Sequence, residues 1–376
     1  MNVVIRFLSN EAIENCVTCL NYKIDKVIFF GYKEMIDEEK ENISIFLKDK
    51  CHTDSEFVMI ENNGLSNIMN MVAANVNDKD YYYMDITGCE GVCLIAFTNM
   101  AYELSIPMHI YDVRKRKTYN IDDSIPGSIR DVKERTVDFK INDYIKMVGG
   151  LIRTEMNTRS IKTPDKKVLK KIADIKKDYK ENWMHCVGVL NRMHKDKDSL
   201  YTSTSNIAKL IREEGKIRLE VFMKILMEFS KNDLIRDLKT SDNKVSFIYA
   251  DDKIRKYLSD GGIVLEEQTY QKERKRSDDA MMSVHLDWDG VVERSSDGDV
   301  VNEIDVLSLR GYLPVFISCK DTSTIEKNAL YELESITRRF GGKYAKMILV
   351  TSAKVGQSDI NRARHIGIEV INSEEF

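Results

Sequence analysis

The chain contains 376 residues, of which 43% are hydrophobic and 31% are charged, so it can bury substantial cores and is not expected to be disordered. This length predicts roughly two or three domains. The formal net charge of -4 excludes a uniformly basic nucleic-acid-binding protein, and it confines any such surface to a local patch.

The N-terminal sequence, MNVVIRFLSN, does not combine a basic region with a long apolar run, as a signal peptide would. No apolar stretch approaches the length of a membrane span. Seven cysteines form no regular framework, and their odd number argues against a disulfide-stabilised secreted protein. We therefore expect a reduced, cytoplasmic protein that has no membrane partner.

The first 115 residues or so alternate between strand-like and helix-like stretches. The strand candidates are apolar runs, namely NVVIRFLS, KVIFFGY, YYYMDIT and PMHIYDV. The helix candidates lie between them, namely NEAIENCVTCLNYK, which Asn10 can cap, SNIMNMVAANVN and GVCLIAFTNMAYEL. This alternation predicts a parallel sheet with helices on both faces, the doubly wound Rossmann-like α/β class, in a first domain of residues 1–150.

Residues 151–258 read as several helices that end on the strand-like segment KVSFIYADD, which predicts a helical or winged-helix linker module. A winged helix can bind DNA or can separate two domains, and both interpretations stay open here. The lysine-rich segment 166–180 is either a phosphate-contacting helix or a solvated helix with an apolar stripe. The stripe consists of Val168, Leu169, Ile172 and Ile175.

A third unit, residues 259–376, follows the sequence SDGG. Its predicted elements are, in order, the helix IVLEEQTYQKERKR, the strand AMMSVHLDWDGVVER, the hairpin NEIDVLSLRGYLPVFISCK, the helix STIEKNALYELESITRRF, the strand GGKYAKMILVTS, the helix SDINRARHIG and the strand IEVIN. The order predicts a compact α/β domain.

The hairpin separates its side chains onto two faces, if Arg310 and Gly311 form a two-residue turn. Because side chains alternate along a strand, the polar face then collects Glu303, Asp305, Ser318 and Lys320. The opposite face is apolar and consists of Ile304, Val306, Val315, Ile317 and Cys319. We expect the polar face to be accessible to solvent. A longer loop would break this register.

Carboxylates that converge with a lysine on one face of a sheet can hold Mg²⁺ or Mn²⁺ through oxygen ligands. Such a metal polarises a scissile phosphate, and the lysine can orient or deprotonate the attacking water. A surface ion pair between Lys320 and Asp305 or Glu303, worth about 0–1 kcal/mol, would explain the same spacing. The spacing alone does not decide between a catalytic site and an ion pair.

The order helix, hairpin, helix and strand around NEIDVL and ISCK resembles the PD-(D/E)xK restriction-endonuclease-like nuclease core. The resemblance implies that Asp305 binds the metal, that Lys320 is the catalytic lysine and that Glu266 is the first-helix glutamate, with Glu267 as its rival. Ser318 occupies the catalytic position where many members carry an acid. The resemblance therefore implies that one metal ligand is either missing or supplied from elsewhere, by Glu303, Glu332, Glu334 or the backbone carbonyl of Cys319.

The segment DITGCEG places a Thr-Gly turn between the strand YYYMDI and the following helix. Backbone N–H groups at such a turn can bind an anion, and ligands of open parallel sheets bind beyond the carboxyl ends of the strands. Ser9 and Asn10 end the first strand and should lie at the same edge. Ordinary capping by Thr87 and Ser9 would explain the same residues without a ligand.

This arrangement resembles a CARF domain, the Rossmann-like sensor of CRISPR-associated effectors, whose turn often reads T-G-G-T-K. The resemblance implies that a cyclic oligoadenylate binds across the axis of a homodimer. The implied binding residues are Ser9, Asn10, Thr87, Gly88, Cys89 and Glu90. Cys89 replaces a glycine, and Glu90 replaces a basic or polar residue, so Glu90 is expected to face a ribose, an adenine edge or the partner subunit.

The order of CARF domain, linker and PD-(D/E)xK domain is similar to that of the CARF-containing ancillary nucleases of type III CRISPR immunity. It implies a metal-dependent nuclease, activated by cyclic tetra-adenylate, that cuts DNA or RNA, single-stranded or duplex, with low sequence specificity. The basic segments QKERKR and TRRFGGKYAK are candidates for phosphate contacts. Two alternatives are a CARF-type transcription regulator whose nuclease-like domain is inactive and a DNA-repair nuclease that needs no messenger.

Overall fold

The computed structural model of the chain describes residues 1–61, 63–156, 166–194, 199–291, 300–321 and 325–376. Two compact units divide it. The first comprises Met1–Thr154, Arg276–Phe316 and Tyr331–Met347, and the second comprises Glu155–Lys275, Ile317–Leu330 and Ile348–Phe376. The domain bounds predicted at residues 150 and 258 stay predictions. Residues 292–294 of a predicted strand and residues 323–324 of a predicted helix lie outside the described residues.

A six-stranded sheet forms the N-terminal part of the first unit. Its strands are β1 (Asn2–Phe7), β2 (Lys26–Gly31), β3 (Asp54–Met59), β4 (Tyr81–Asp85), β5 (Met108–Asp112) and β6 (Lys117–Asn120). The strand order is β3-β2-β1-β4-β5-β6, in which β1 to β5 are parallel and β6 is antiparallel to β5. Strands β1 and β2 are almost entirely buried, as expected for central strands that are covered on both faces.

The crossover helices alternate with these strands. They are α1 (Ala12–Asn21), α2 (Lys33–Cys51), α3 (Leu65–Ala74) and α4 (Gly91–Glu103). The order in the sheet reverses between β1 and β4, so the turns after these two strands border the crevice where doubly wound sheets bind ligands. The predicted Rossmann-like class is confirmed. The predicted cap is wrong, because Glu11 rather than Asn10 occupies the N-cap of α1.

The second unit contains a winged-helix arrangement. Its elements are α6 (Lys166–Asp178), α7 (Trp183–Met193), β8 (Tyr201–Thr204), α8 (Ile207–Glu214), α9 (Leu219–Lys231), β9 (Ile235–Ser241) and β10 (Lys244–Tyr249). The three strands pair in the order β8-β10-β9. Helix α6 buries Leu169, Ile172 and Ile175, so its apolar stripe packs against the protein as the second interpretation of the lysine-rich segment predicts.

The remaining elements follow the predicted order, with three additional elements before them. They are α5 (Ile141–Met147), β7 (Leu151–Ile152), α10 (Asp252–Ser259), α11 (Ile263–Glu273), β11 (Asp279–Asp287), β12 (Val301–Arg310), β13 (Leu313–Lys320), α12 (Lys327–Phe340), β14 (Lys346–Thr351), α13 (Gln357–His365) and β15 (Ile368–Asn372). The strands form a sheet in the order β15-β14-β13-β12-β11-β7.

The hairpin between β12 and β13 turns at Gly311 and Tyr312, so the predicted turn at Arg310 and Gly311 is wrong by one residue. Gly311 has φ +68°, a left-handed conformation that glycine adopts readily, and its N–H donates to Asp278 Oδ2 at 2.6 Å. When the turn moves by one residue, each residue of β12 faces a residue of β13 that is two positions further along the chain. The division of side chains between the two faces therefore does not change.

Across all residues that the structure describes, no helix is both long enough and apolar enough to span a membrane.

Candidate ligand pocket and nuclease site

A cavity of about 290 Å³ lies at the carboxyl ends of β1 and β4, where the sheet order reverses. Residues from the turns after both strands and from the start of α2 line it, namely Phe7, Ser9, Asn10, Tyr32, Met35, Gly88, Glu90, Gly91 and Val92. Four of the six residues predicted to bind the ligand, Ser9, Asn10, Gly88 and Glu90, are among them. The structure thus brings together two turns that are far apart in the sequence.

Thr87 lies beneath this pocket. Its side chain is buried, its hydroxyl accepts a hydrogen bond from Tyr111 N at 2.8 Å, and its N–H donates to Asp85 Oδ1 at 2.9 Å. These contacts fix the turn between β4 and α4. Its neighbour Cys89 is half-buried, and burial raises the pKa of its thiol to about 12, so Cys89 stays a neutral thiol near pH 7.

A buried ion pair that the sequence analysis missed holds the same turn from below. Arg6 Nη1 donates to Asp85 Oδ2 at 2.8 Å, and Arg6 Nη2 donates to the carbonyl of Thr87 at 2.9 Å. Thr18 Oγ1 also donates to Asp85 Oδ2, at 2.7 Å. Burial opposes the charge of Asp85, yet Arg6 and the other partners outweigh it and lower the pKa of the carboxyl. The arginine within the otherwise apolar run NVVIRFLS is the feature of the sequence that could have revealed this buried ion pair.

Two aromatic rings form one wall of the pocket. Phe7 and Tyr32 pack edge to face with their ring centroids 5.8 Å apart. Tyr32 Oη lies 3.5 Å from Cys93 Sγ. Flat aromatic surfaces of this kind suit a nucleobase, because every base offers a π-face for stacking.

The pocket turn after β1 has structural partners of its own. Ser9 is buried, its hydroxyl donates to Glu14 Oε2 at 2.6 Å, and its oxygen accepts from Glu11 N at 3.1 Å. Asn15 closes the turn, since its amide donates to Ser9 O at 2.7 Å. Ser9 therefore combines a local capping role with a place in the pocket wall.

Within the first unit, strands β11 and β12 carry the first part of the predicted nuclease site. Glu303 and Asp305 share one face of β12, and the register places His285 opposite Glu303. His285 Nε2 lies 3.8 Å from Glu303 Oε2. The sequence analysis did not single out His285.

Asp305 is less accessible than predicted, with only 9% of its surface exposed. The predicted open polar face is therefore wrong for this residue. Ser283 lies between Met282 and Val284, which pair with the two neighbours of Asp305, and it has φ +51°, which strains a non-glycine residue. Strained backbone inside a strand often occurs beside functional residues.

The second unit carries five of the other predicted nuclease residues, whereas Glu332 and Glu334 lie on α12 in the first unit. Glu266 and Glu267 are buried on α11, Ser318 and Cys319 are buried on β13, and Lys320 ends β13 partly exposed. Gln271 Nε2 donates to Glu267 Oε1 at 2.8 Å, and burial raises the pKa of Glu267.

Next to Lys320, Asp321 forms an ion pair with Lys176 of α6 at 2.7 Å, a further contact that the sequence analysis did not predict. Among the residues that the structure describes, no three His, Cys, Asp or Glu side chains lie close enough together to hold a metal ion by themselves.

Comparisons with known proteins relate the C-terminal part of the chain to a family model and the whole chain to solved structures. Residues 251–376 match the family model described as "Card1-like, endonuclease domain". Protein VC1899 from Vibrio cholerae has a crystal structure that is similar to the chain with a TM-score of 0.70 and 14% identity, covering 100% of this chain and 94% of that one. Can2 from Sulfobacillus thermosulfidooxidans, solved in complex with cyclic tetra-adenylate, is similar with a TM-score of 0.68 and 15% identity, covering 99% and 95%.

A third solved structure, described as a type III CRISPR defence DNA nuclease activated by cyclic oligoadenylate, has a TM-score of 0.52 and 13% identity and covers 94% of this chain and 46% of that one. A comparison with curated proteins gave no match. At such low identities the structural similarities establish a shared fold, which confirms the predicted fold class. Residues 251–376 are thus similar to the Card1-like endonuclease domain, and the chain as a whole shares the fold of Can2.

Proposed function

We propose that this protein is a metal-dependent nuclease, activated by a cyclic oligoadenylate, that acts in the cytoplasm in type III CRISPR antiviral defence. The observation that carries the proposal is the endonuclease-family match of residues 251–376, on a chain whose N-terminal sheet has a pocket at its switch point. Ligand site and nuclease domain are thus parts of one polypeptide, as a ligand-gated enzyme requires.

The pocket supports a nucleotide ligand. Backbone N–H groups at the Gly88 turn can bind phosphate, and Phe7 and Tyr32 offer aromatic surface for a base. Can2, which shares the fold, was solved with cyclic tetra-adenylate, and this favours the same ring here. A ring of four nucleotides exceeds a cavity of about 290 Å³, so we infer that a second copy of the chain supplies the rest of the site.

The nuclease residues support metal-assisted hydrolysis. Asp305 and Glu303 present carboxylate oxygens on one strand face, and Mg²⁺ typically takes one or two carboxylates together with substrate phosphates and waters. The donor chemistry therefore fits Mg²⁺ or Mn²⁺, with Glu266 and the carbonyl of Cys319 proposed as further donors. Once bound, the ion would polarise the scissile phosphate. Lys320 is proposed to orient the attacking water, beside Ser318 at the position of the second acid.

Exposed cations support a nucleic-acid substrate without deciding between DNA and RNA. Arg338 on α12 is 80% exposed, and Lys343 and Lys346 follow it on the same stretch. Arg339 has a different role, because its guanidinium donates to the carbonyls of Val148 and Trp288. Phosphate contacts from such residues would bind any sequence, as low specificity requires.

The alternative of a transcription regulator is less well supported. The winged helix exists, but the exposed positions on α9, the helix that would enter the major groove, include Glu220, Lys224 and Met227. A helix that binds DNA through its exposed face is expected to be basic, and this mixture of charges fits a spacer module better.

One assay tests the proposed function. The purified full-length protein is incubated with Mn²⁺, with or without cyclic tetra-adenylate, and then with single-stranded DNA, RNA and supercoiled plasmid. We expect cleavage that requires both metal and ligand and that falls at least about 100-fold in Asp305→Asn, the size typical of losing a transition-state contact. Asp242→Asn, on the exposed turn between β9 and β10, is the control.

Three outcomes would contradict the proposal. Full activity of Asp305→Asn would remove the metal assignment. Equal cleavage with and without the ligand would favour a nuclease that needs no messenger. Sequence-specific DNA binding without any cleavage would favour the regulator.

A further inference from the structure

Glu14 in the first turn of α1 lies between the pocket and the endonuclease domain. Only 2% of its surface is exposed. The three residues that its carboxylate contacts, Ser9, Lys343 and Tyr344, belong with it to the first compact unit. Its Oε2 atom accepts a hydrogen bond from Ser9 Oγ at 2.6 Å. Its Oε1 atom accepts from Tyr344 Oη at 2.6 Å and lies 3.0 Å from Lys343 Nζ. One carboxylate therefore has a partner on each side.

On the pocket side, Glu14 lies against two residues that line the cavity. Ser9 and Gly88 both line the cavity. Gly88 has φ +71°, and a Cβ atom at this position would overlap Glu14 Oε2. The carboxylate thus touches both turns of the pocket, and any movement of these turns changes its surroundings.

On the endonuclease side, Glu14 Oε1 contacts a short turn between α12 and β14, residues Gly342–Tyr344. Glu11 strengthens the same contact, because its Oε1 atom accepts from Lys343 N at 3.0 Å. A Cβ atom on Gly342 would overlap Glu11 Oε2. The two carboxylates at the start of α1 therefore bind one turn of the endonuclease domain closely.

Charge makes this contact sensitive to an anionic ligand. Burial opposes the ionisation of Glu14, but the hydrogen bonds from Ser9, Tyr344 and Lys343 outweigh it and lower its pKa, so the group is a carboxylate near pH 7. A phosphate bound in the pocket would be repelled by this negative charge, which lies behind Ser9 and Gly88. The serine hydroxyl has a single proton, so Ser9 cannot donate to the phosphate and to Glu14 at once.

We propose that Glu14 is a positioning residue that couples occupation of the pocket to the Gly342–Tyr344 turn of the endonuclease domain; this inference rests on the proposed function. A bound phosphate takes the hydrogen bond of Ser9 and repels the carboxylate. Glu14 then depends on Tyr344 and Lys343 alone. Because coupling between two sites is reciprocal, the state of the turn also sets the affinity of the pocket.

Glu14→Gln tests the charge of the link. The amide keeps the shape of the side chain but removes its repulsion of phosphate, so we expect cyclic tetra-adenylate to bind at least about threefold more tightly. Loss of the ion pair with Lys343 should at the same time lower the ligand-saturated cleavage rate at least about fivefold, within the usual range of coupling energies. A purely structural role would weaken binding and cleavage together. Glu41→Gln, at an exposed position of α2, is the control.

Tyr344→Phe tests the hydrogen bond between Glu14 and the turn of the endonuclease domain. It also keeps the proposal testable if Glu14→Gln does not fold. It removes one hydroxyl and changes no residue that lines the pocket, so the ligand should still bind while ligand-saturated cleavage falls at least about fivefold. Tyr331→Phe is the matched control, because Tyr331 is exposed on α12. Calorimetry measures binding, and a fluorescent substrate measures cleavage.

The outcomes separate this inference from the proposed function. If the natural protein shows no ligand-stimulated cleavage, the proposed function fails. If it is stimulated, and both Glu14→Gln and Tyr344→Phe keep its binding constant and its saturated rate, the coupling role of Glu14 is wrong. A parallel loss of binding and cleavage in both variants, with lowered thermal stability, would also overturn it in favour of a structural role.

Discussion

Glu14 and Glu39, on the first two helices, have carboxyl groups in opposite electrostatic surroundings. The pKa of Glu14 is lowered, because three donors outweigh the effect of burial. The pKa of Glu39 is raised from its ordinary value of 4.5 to about 7, chiefly by burial and then by the neighbouring charge of Glu38. Ionised Glu14 therefore favours the folded chain, and ionised Glu39 opposes folding.

The raised pKa of Glu39 gives a pH-dependent stability. A group whose folded-state pKa is raised contributes stability that is fully present below its unfolded pKa and is lost as the pH rises. For Glu39 this window extends from 4.5 to about 7. We predict that Glu39→Gln unfolds at a higher temperature than the natural protein at about pH 8 and at the same temperature at about pH 4.

Thermal unfolding followed by circular dichroism at several pH values measures this difference. The matched control is Glu41→Gln, at an exposed position of the same helix. A melting-temperature difference for Glu39→Gln that does not change with pH would contradict the assignment of the raised pKa to Glu39.

At the scale of the elements, the turn between β4 and α4 is built for a close approach to Glu14. Gly88 cannot carry a side chain without overlapping that carboxylate, and its φ of +71° disfavours any other residue. We predict that Gly88→Ala moves the turn and raises the concentration of cyclic tetra-adenylate needed for half-maximal cleavage at least about tenfold, consistent with the loss of more than one hydrogen bond.

Gly127→Ala separates this effect from backbone strain. Gly127 also has a positive φ, +93°, but a Cβ atom there would make only ordinary contact with Pro107. Both variants are compared by dose-response assays of cleavage and by thermal unfolding. Equal dose-response curves for the natural protein and Gly88→Ala would show that the turn does not bind the activator.

The sequence predicted the elements of the first sheet wherever an apolar run was long enough to be buried on both faces, as in β1 and β2. It did not predict α2 and β3. Helix α2 has a weakly apolar pattern, and β3 is a half-exposed edge strand, so neither has a clear periodic signal.

Pocket residues were predictable because strand ends meet at one edge of a parallel sheet. The partners that hold them were not. Arg6 and Asp85 lie 79 positions apart, and only the strand register brings them together. Glu14 and Tyr344 lie 330 positions apart, and their contact joins a predicted sensor helix to a predicted nuclease segment. Long-range pairing of this kind leaves no local pattern in a single sequence.

At the scale of the whole molecule, the pocket and the proposed ligand differ in size. One chain offers a cavity of about 290 Å³ at the edge of its parallel sheet. A symmetric ring of four nucleotides has two equivalent halves, and a homodimer with a two-fold axis presents two equivalent pockets. The proposed activator is therefore matched to two chains rather than to one.

We predict that two chains bind one molecule of cyclic tetra-adenylate. Titration calorimetry should give about half a ligand per chain, and light scattering should give the mass of a dimer, because an isologous interface repeats each pocket contact once. Ser9→Ala, which changes both halves of the site together, should weaken binding without altering the stoichiometry. A monomer that binds one ligand per chain would contradict the dimeric site, and the activator would then have to be a smaller nucleotide that a single pocket can enclose.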